Sequence, residues 1–290
     1  MTEIFDQNYA FIYDYIYHDK KYSKEVSNIV KILERNKIKN INKLDFLDYG
    51  CGTGKHLLHL SKYSQNLHGY DKSRQMINIA KKNDTNNLIK FYSIRKMLEK
   101  SEKKFDIIIM LFDVFSYFTE YNEIHAELSL INNLLKKGGI LIFQFWYGPS
   151  VLYLKPKNYK KKLKIKNKVI FRECNANLDI NGNLVNINYR FRESNQKIIF
   201  SEKHKVRYFF RDEVNLLLAT NNFTLLNFYS LSNILFSLFH FMGTESFSQE
   251  AFTIRFIAGI LLGILYINRG FGITAITHSF YDIFVIFQLT

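Results

Sequence analysis

Short apolar runs and longer amphipathic stretches alternate through the first half of the chain. The runs at residues 44–49, 67–70, 88–92, 105–112 and 140–145 have the length and continuity of strands buried on both faces. Residues 55–62 and 123–136 read as helices between them, the second stopped by Lys137-Gly138-Gly139. Ser73 stands as the N-cap of a helix running through Lys82. Upstream, residues 9–22 are aromatic with helical spacing. Residues 23–36 continue as a helix with Val26, Ile29, Val30 and Leu33 on one face. Strands alternating with helices predict an α/β fold, a parallel sheet covered on both sides.

From about residue 163 to 210 the period changes to two. Val185, Ile187, Tyr189 and Phe191 alternate with Asn186, Asn188, Arg190 and Arg192, and Asn181-Gly182 marks a hairpin turn. Ile198, Phe200, Glu202, His204, Val206 and Tyr208 share one face of a further strand. An antiparallel patch, at about 151–210, is therefore inserted after the fifth parallel strand. Residues 211–220 return to helix and 223–229 to strand. The remainder, 230–290, is rich in Phe, Ile, Leu and Gly, and only Arg255 and Arg269 carry positive charge there. It reads as an apolar helical tail whose runs are short for membrane spans. Gly259-x-x-x-Gly263 would suit close helix packing in lipid.

Composition adds little to this division. The net charge of +14 raises the question of a polyanionic partner. Its densest run, residues 155–168, holds eight lysines but no arginine and one aromatic, Tyr159. That is a solvated edge rather than a base-stacking platform, and no nucleic acid partner is expected. Cys51 and Cys174 form no spaced framework, which fits a reducing compartment. The N-terminus lacks the basic start and apolar core of a secretion signal. The expected location is cytoplasmic, with the tail attaching the chain to the inner face of a membrane.

The chemistry centres on a strand followed by Gly50-x-Gly52-x-Gly54 and a helix. Glycine lets backbone approach a ligand at positive φ, and the helix start offers free N–H groups. Asp48 precedes the loop by two residues, where a carboxylate can meet a ligand ammonium group. Asp71 ends the next strand, where an acid can accept hydrogen bonds from both ribose hydroxyls. The spacing is not that of a pyrophosphate loop. An adenosyl group with an amino-acid tail fits it better than a dinucleotide, the alternative ligand.

Leu47-Asp48-Tyr49-Gly50-Cys51-Gly52-Thr53-Gly54 resembles the first motif of class I S-adenosylmethionine-dependent methyltransferases. Gly69-Tyr70-Asp71-Lys72-Ser73-Arg74-Gln75-Met76 is similar to the second, and the segment from Phe105 to Val114 to the fourth. The resemblance covers residues 1–229. It implies a Rossmann-like sheet and S-adenosylmethionine as cofactor, held by Tyr13, Asp48, Gly50, Cys51, Gly52, Gly54, Asp71, Lys72, Met76, Leu111 and Phe112, with no metal. One departure stands out: Phe91-Tyr92-Ser93-Ile94-Arg95 lacks the acid that the family often places after the third strand.

Other segments resemble small-molecule methyltransferases, including N-methyltransferases of amino sugars. They are Tyr13-Asp14 with Asp19-Lys20-Lys21-Tyr22, Leu111 to Tyr117, Phe145 to Leu152, and Glu202 to Phe209. This likeness implies an N-terminal aromatic lid and an acceptor pocket built by the antiparallel patch. The acceptor would be a small molecule, through an amine or hydroxyl of a sugar or related metabolite. Candidates for base or acceptor contact are Asp113, His204 and Tyr117, with Glu202 beside them. Asp113 stands where related sequences often carry His. Trp146 and Tyr147 lie at the exit of the fifth strand, where parallel sheets hold ligands. His56, His59 and His125 read as surface or packing residues. The alternatives are a membrane-tethered cofactor-binding protein without catalysis and an RNA or protein methyltransferase.

The tail resembles the last helices of CAAX-processing-type intramembrane glutamic proteases. Phe236-x-x-x-His240 and His278-x-x-x-Asp282 are similar to that family's second and third motifs. The paired Glu-Glu of its first motif has no counterpart, so no proteolysis is expected.

Overall fold

Continuous apolar sequence forms the centre of the computed structural model, which describes residues 5–100, 102–165, 168–193, 197–230 and 282–289. Five strands run parallel there: β1 (Asp45–Tyr49), β2 (Asn66–Tyr70), β3 (Ile89–Tyr92), β4 (Phe105–Met110) and β5 (Leu135–Tyr147). In β4, Ile107, Ile108, Ile109 and Met110 face alternate sides of the sheet, and all four are buried. Covering helices are α1 (Gln7–Ile16), α2 (Tyr22–Arg35), α3 (Lys55–Leu60), α4 (Arg74–Asn83), α5 (Arg95–Glu99) and α6 (Tyr121–Leu134). The strand order is β3-β2-β1-β4-β5. The chain thus steps outward from β1 and then returns to β4, which opens a crevice at the carboxyl ends of β1 and β4.

Beyond β5 come α7 (Gly148–Leu154) and four antiparallel strands: β6 (Tyr159–Ile165), β7 (Lys168–Asp179), β8 (Leu184–Glu193) and β9 (Ile198–Phe209). The patch joins the main sheet where Trp146 and Tyr147 of β5 pair with Tyr208 and Phe209. Its alternation follows the sequence pattern. Val185, Ile187 and Phe191 are buried on one face, as are Glu202, His204, Val206 and Tyr208. β6 is the outer edge, and Lys160, Lys162 and Lys164 are exposed along it. Lysines on an edge strand oppose pairing with another chain. α8 (Arg211–Ala219) and β10 (Phe223–Ser230) follow.

Several expected boundaries shift. Helix α6 stops at Leu134, and β5 is already extended at Leu135, which pairs with Phe105. Lys136 reaches Asp45 and Asp106, each at 2.8 Å, and these contacts suit an extended backbone at that point. The aromatic stretch 9–22 is two elements, because the chain turns between Ile16 and Tyr22. Helices α5 and α7 were not anticipated. Pro149 sits in the first turn of α7, where its missing N–H costs nothing. The patch therefore starts at Tyr159 rather than at 151.

The expectation of an apolar helix is corrected at residues 282–289, which form a strand, β11 (Asp282–Leu289). It runs antiparallel between β5 and β10, with Val285 opposite Phe143 and Phe287 opposite Leu225. A strand there satisfies the backbone of β5, which would otherwise be an open edge. The protease-like positions Phe236, His240 and His278 lie outside the described residues, as do the glycines at 259 and 263. Among the described residues, no helix is long and apolar enough to cross a membrane.

Candidate active site

The glycine loop leaves β1 beneath the crevice. Gly50, Gly52 and Gly54 have φ of 87°, 52° and 78°. A Cβ on Gly50 would lie 2.6 Å from the Val114 side chain, so the loop after β1 and the turn after β4 meet closely. A Cβ on Gly52 would meet nothing within 4 Å, so this peptide lies bare toward open space. Asp71 fixes the loop from β2. Its carboxylate accepts from the Gly52 N–H and the Ser73 N–H, both at 2.8 Å. Ser73 in turn caps α4 by accepting from the Met76 N–H, as the sequence indicates.

Asp48 is buried at the end of β1, and neither of its carboxylate oxygens has a hydrogen-bond partner. Burial, with the charge of Asp71 added, pushes its carboxyl up to about 8. Such an acid has affinity for a cation placed beside it. The bare glycine backbone and this unsatisfied acid fit a ligand with a positively charged amino-acid end, as S-adenosylmethionine has.

Helix α1 closes over this loop. Asp6 caps it by accepting from the N–H groups of Asn8 and Tyr9. Asp14 accepts from the Thr53 hydroxyl at 2.7 Å and from Asn83 at 3.3 Å, and Lys55 approaches it at 3.4 Å. Tyr13, Tyr22, Leu111, Phe112 and the loop from Gly50 to Thr53 line a small cavity. Phe112 and Asp113 both adopt left-handed backbone, with φ of 59° and 61°. That conformation is uncommon outside glycine. The Phe112 N–H donates to Gln144 at 2.6 Å and the Trp146 indole donates to Asp113 at 3.0 Å, holding the turn. The ring of Phe112 meets Tyr17 edge-on and carries the Lys20 ammonium 4.0 Å from its centre.

His56, read as a surface or packing residue, is buried and bonded to Glu25 at 2.7 Å. Burial holds the His56 imidazole below its ordinary value. Glu25 also takes Lys20 at 2.6 Å, which ties α2 to the end of the lid.

On the other side of the lid lie three of the acceptor-side candidates. Tyr117, in the turn Val114–Tyr117, contacts His204 Nδ1 at 2.9 Å. His204 Nε2 contacts Glu202 at 3.0 Å. The other Glu202 oxygen accepts from the backbone N–H groups of Phe5 and Asp6, at 2.9 and 3.2 Å. The Phe5 ring packs edge-on against His204. An ionised Glu202 only accepts, so Nε2 carries the proton and Nδ1 accepts from the Tyr117 hydroxyl. Burial pushes the Tyr117 phenol well up, so it stays a neutral donor.

The structure brings Tyr13, Gly50, Cys51, Gly52, Leu111 and Phe112 around one cavity, with Asp48 and Asp71 at the ends of the strands below. Gly54 starts α3. Lys72 is exposed beyond Asp71. Met76 is buried among Tyr9, Ile12 and Ile16 of the lid. Asp113 serves the Trp146 indole, apart from the Tyr117–His204–Glu202 chain. Asp14, Thr53, Asn83 and Gln144 were missed as support for the site. Only Asp14 carried a signal, its place in the lid segment beside Tyr13.

A family profile described as a methyltransferase domain matches residues 17–227. A curated relative, dTDP-3-amino-3,4,6-trideoxy-alpha-D-glucopyranose N,N-dimethyltransferase of Streptomyces venezuelae, is 26% identical over 149 residues, which is 51% of this chain and 61% of that protein. The dTDP-3-amino-3,6-dideoxy-alpha-D-glucopyranose N,N-dimethyltransferase of Streptomyces fradiae is 22% identical over 49% of this chain and 54% of its own length. The chain thus spans little more than half the length of these relatives. Among solved structures, an S-adenosylmethionine-dependent methyltransferase from Clostridium acetobutylicum aligns with a TM-score of 0.65 and 18% identity, covering 97% of this chain and 98% of that one. CalS10 with bound SAM, an amino pentose methyltransferase from Micromonospora echinaspora, aligns at 0.65 and 14% identity, covering all of both chains. At these identities the structural likeness is one of fold. With the profile matching most of its length, the chain belongs to the methyltransferase-domain family, and its cofactor is S-adenosylmethionine.

Proposed function

We propose that this chain transfers a methyl group from S-adenosylmethionine to an amine of a small acceptor, an amino sugar or a close relative of one. The observation that carries this reading is the Tyr117–His204–Glu202 chain, built on the inner face of the antiparallel patch and tied to the lid. The amino-sugar N,N-dimethyltransferase activity named for the curated relatives supports the choice of an amine.

When bound, S-adenosylmethionine supplies an electrophilic methyl on a sulfonium, and the protein supplies position and a shielded site. Asp48 would hold the ammonium end, Asp71 the ribose, and the loop from Gly50 to Gly54 the backbone contacts. An amine attacks only as the free base, so its proton must leave. The Tyr117 oxygen can accept that proton as its own passes to His204 Nδ1. The resulting imidazolium is stabilised by Glu202 at Nε2. Glu202 is held ready by two backbone donors. Phe5 and Tyr9 pack against His204 while Tyr13 lines the cavity, so the N-terminal segment would shield both halves of the site from water.

The test is transfer of labelled methyl from S-adenosylmethionine to a panel of amino sugars and simple sugar alcohols. Turnover on amines is expected, and it falls about 100-fold or more in His204→Gln with cofactor affinity kept. No transfer to any amine or hydroxyl acceptor, despite cofactor binding, would sink the reading.

A further inference from the structure

Register gathers on the outer face of the antiparallel patch a charge that no single stretch of sequence displays. Helices α1 and α7 pack on the inner face, against Leu163, Ile165, Phe191, Val185 and Val206. On the other face Lys162 lies opposite Phe171, and Phe171 opposite Arg192. The next row is Lys160, Glu173, Arg190 and Ser201. Beyond it Asn175 and Asn188 lead to Lys203, and Asn177 and Asn186 to Lys205. Lys164 adds a further cation on the edge strand. Glu173 is shared by Lys160 at 3.2 Å and Arg192 at 2.9 Å, and Lys205 meets Glu120 at 3.4 Å. No described carboxylate lies within ion-pair distance of Lys162, Lys164, Arg190 or Lys203. Like charges gathered on one face cost the fold free energy, which an anionic partner offsets.

The chemistry of the face selects the kind of anion. Its charges spread over four strands, about 15 Å across, rather than along one line. A nucleic acid strand asks for open rings on which bases stack. Phe171 is the one aromatic in the rows described, and the Lys160 ammonium covers it, 4.9 Å from the ring centre. A second copy of the chain would set lysine against lysine. Ile165, Lys168 and Ile198 lie at the end of the patch away from its junction with β5 at Tyr208 and Phe209. At that free end Ile198 and Ile199 are 48% and 44% exposed. Lys164, Lys168 and Lys197 are exposed at the same end. Apolar side chains flanked by lysines suit the headgroup layer of an anionic bilayer, where the apolar tips sink in and the ammonium groups stay among the phosphates.

We propose that the outer face of the patch, with Ile198 and Ile199 at its end, docks reversibly on a membrane surface rich in anionic lipid. His204 and Glu202 lie on the inner face, so docking does not occlude the proposed acceptor site.

The test uses the full chain in co-sedimentation with vesicles of phosphatidylcholine, with and without phosphatidylglycerol. Wild type is expected to bind only the anionic vesicles, and less as sodium chloride is raised, because salt screens exposed charge. A lysine near an anionic leaflet is worth about fivefold in affinity. Lys162→Gln with Lys164→Gln should therefore lose about 25-fold, and Lys203→Gln about fivefold. Lys31→Gln with Lys39→Gln, outside the patch, should bind as wild type. Ile198→Ser with Ile199→Ser should weaken binding several-fold. These lysines are exposed, so Tm and S-adenosylhomocysteine affinity should hold in every lysine variant. Binding to neither vesicle, or equally to both, overturns the inference. So does an equal loss in the Lys31 and Lys39 pair, which would make net charge the cause. Full binding after the isoleucine change overturns the bilayer as occupant. Polyuridylate bound more tightly than vesicles, and lost in the same lysine variants, would assign the face to nucleic acid instead. A wild-type dimer that separates on Lys162→Gln with Lys164→Gln would assign it to a second copy. None of these outcomes bears on methyl transfer.

Discussion

Asp14 of the lid helix accepts a hydrogen bond from the Thr53 hydroxyl of the glycine loop at 2.7 Å. The contact joins residues 39 positions apart and fastens α1 to the loop that lines the candidate cofactor cavity. Asn83 reinforces it by donating to Asp14 and to the Thr53 carbonyl. Asp14→Ala should therefore weaken S-adenosylmethionine binding about tenfold, the worth of a hydrogen bond to a charged group, chiefly through faster dissociation. Stopped-flow release and a double-mutant cycle with Thr53→Val check this. Coupling near zero between the two substitutions would show that the contact does not hold the lid.

With Asp48 at the ammonium end of the ligand, as proposed, cofactor binding should be a proton-releasing event. Without ligand its carboxyl stands at about 8, mainly from burial and then from Asp71, so it is protonated at neutral pH. A ligand cation beside it favours the ionised form. Binding at pH 7 should release about one proton, read by calorimetry in buffers of different ionisation heat. Affinity should rise between pH 6 and 7.5, below the range where the ligand's own α-amino group titrates. Stability runs the other way. The folded value lies above the unfolded one, so the folded state holds the extra proton between the two. This group therefore costs ligand-free stability progressively from pH 4 to about 8. Asp48→Asn should raise the ligand-free Tm at pH 8 while abolishing both proton release and tight binding. An unchanged proton count in Asp48→Asn would assign the effect to another group.

Gly50 and Gly52 should separate packing from binding. A methyl on Gly50 would meet Val114 at 2.6 Å, and φ of 87° adds strain, so Gly50→Ala should lower stability and binding together. At Gly52 nothing lies within 4 Å, and the cost to the fold is only that of a left-handed alanine, about 1 kcal/mol. Gly52→Ala should keep a near-native Tm yet bind the cofactor at least tenfold more weakly, because the methyl enters ligand space. Normal affinity in Gly52→Ala would move the ligand away from this peptide.

Local rules account for what could be read in the sequence. The buried strand β4, the Ser73 cap, the hairpin at Asn181-Gly182 and the buried face of β8 each depend on residues within one element. What escaped depends on distant partners. Leu135 is a strand residue because it pairs with Phe105. Residues 282–289 are a strand because β5 and β10 leave a slot for one. Their apolar composition alone could not separate that slot from a lipid-facing helix. Asp48 and Asp71 were legible as candidates because loop spacing announces them, and the structure places them at the ends of β1 and β2 beside the glycine loop. The partners of Asp14, namely Thr53, Lys55 and Asn83, lie on the glycine loop, α3 and α4, and no local pattern encodes that meeting.

Glu202 sets the direction of the hydrogen bonds in the proposed acceptor site. Its carboxylate accepts from His204 Nε2, so Nδ1 is left to accept from Tyr117. Glu202→Gln keeps the size and can still accept from the N–H groups of Phe5 and Asp6 with its carbonyl oxygen. Its amide nitrogen then faces Nε2 as a donor. His204 must move its proton to Nδ1, and the Tyr117 hydroxyl must turn its hydrogen away. The relay then runs backwards and cannot take a proton from an amine. kcat should fall about 10²- to 10⁴-fold, as when a wrong imidazole tautomer is imposed in other catalytic sites, with cofactor affinity and Tm close to wild type. Nitrogen NMR of His204 should report protonated Nε2 in wild type and protonated Nδ1 in Glu202→Gln. Full turnover in Glu202→Gln with the switched tautomer would mean that the acceptor loses its proton by another route, leaving this chain of side chains as an anchor for the lid.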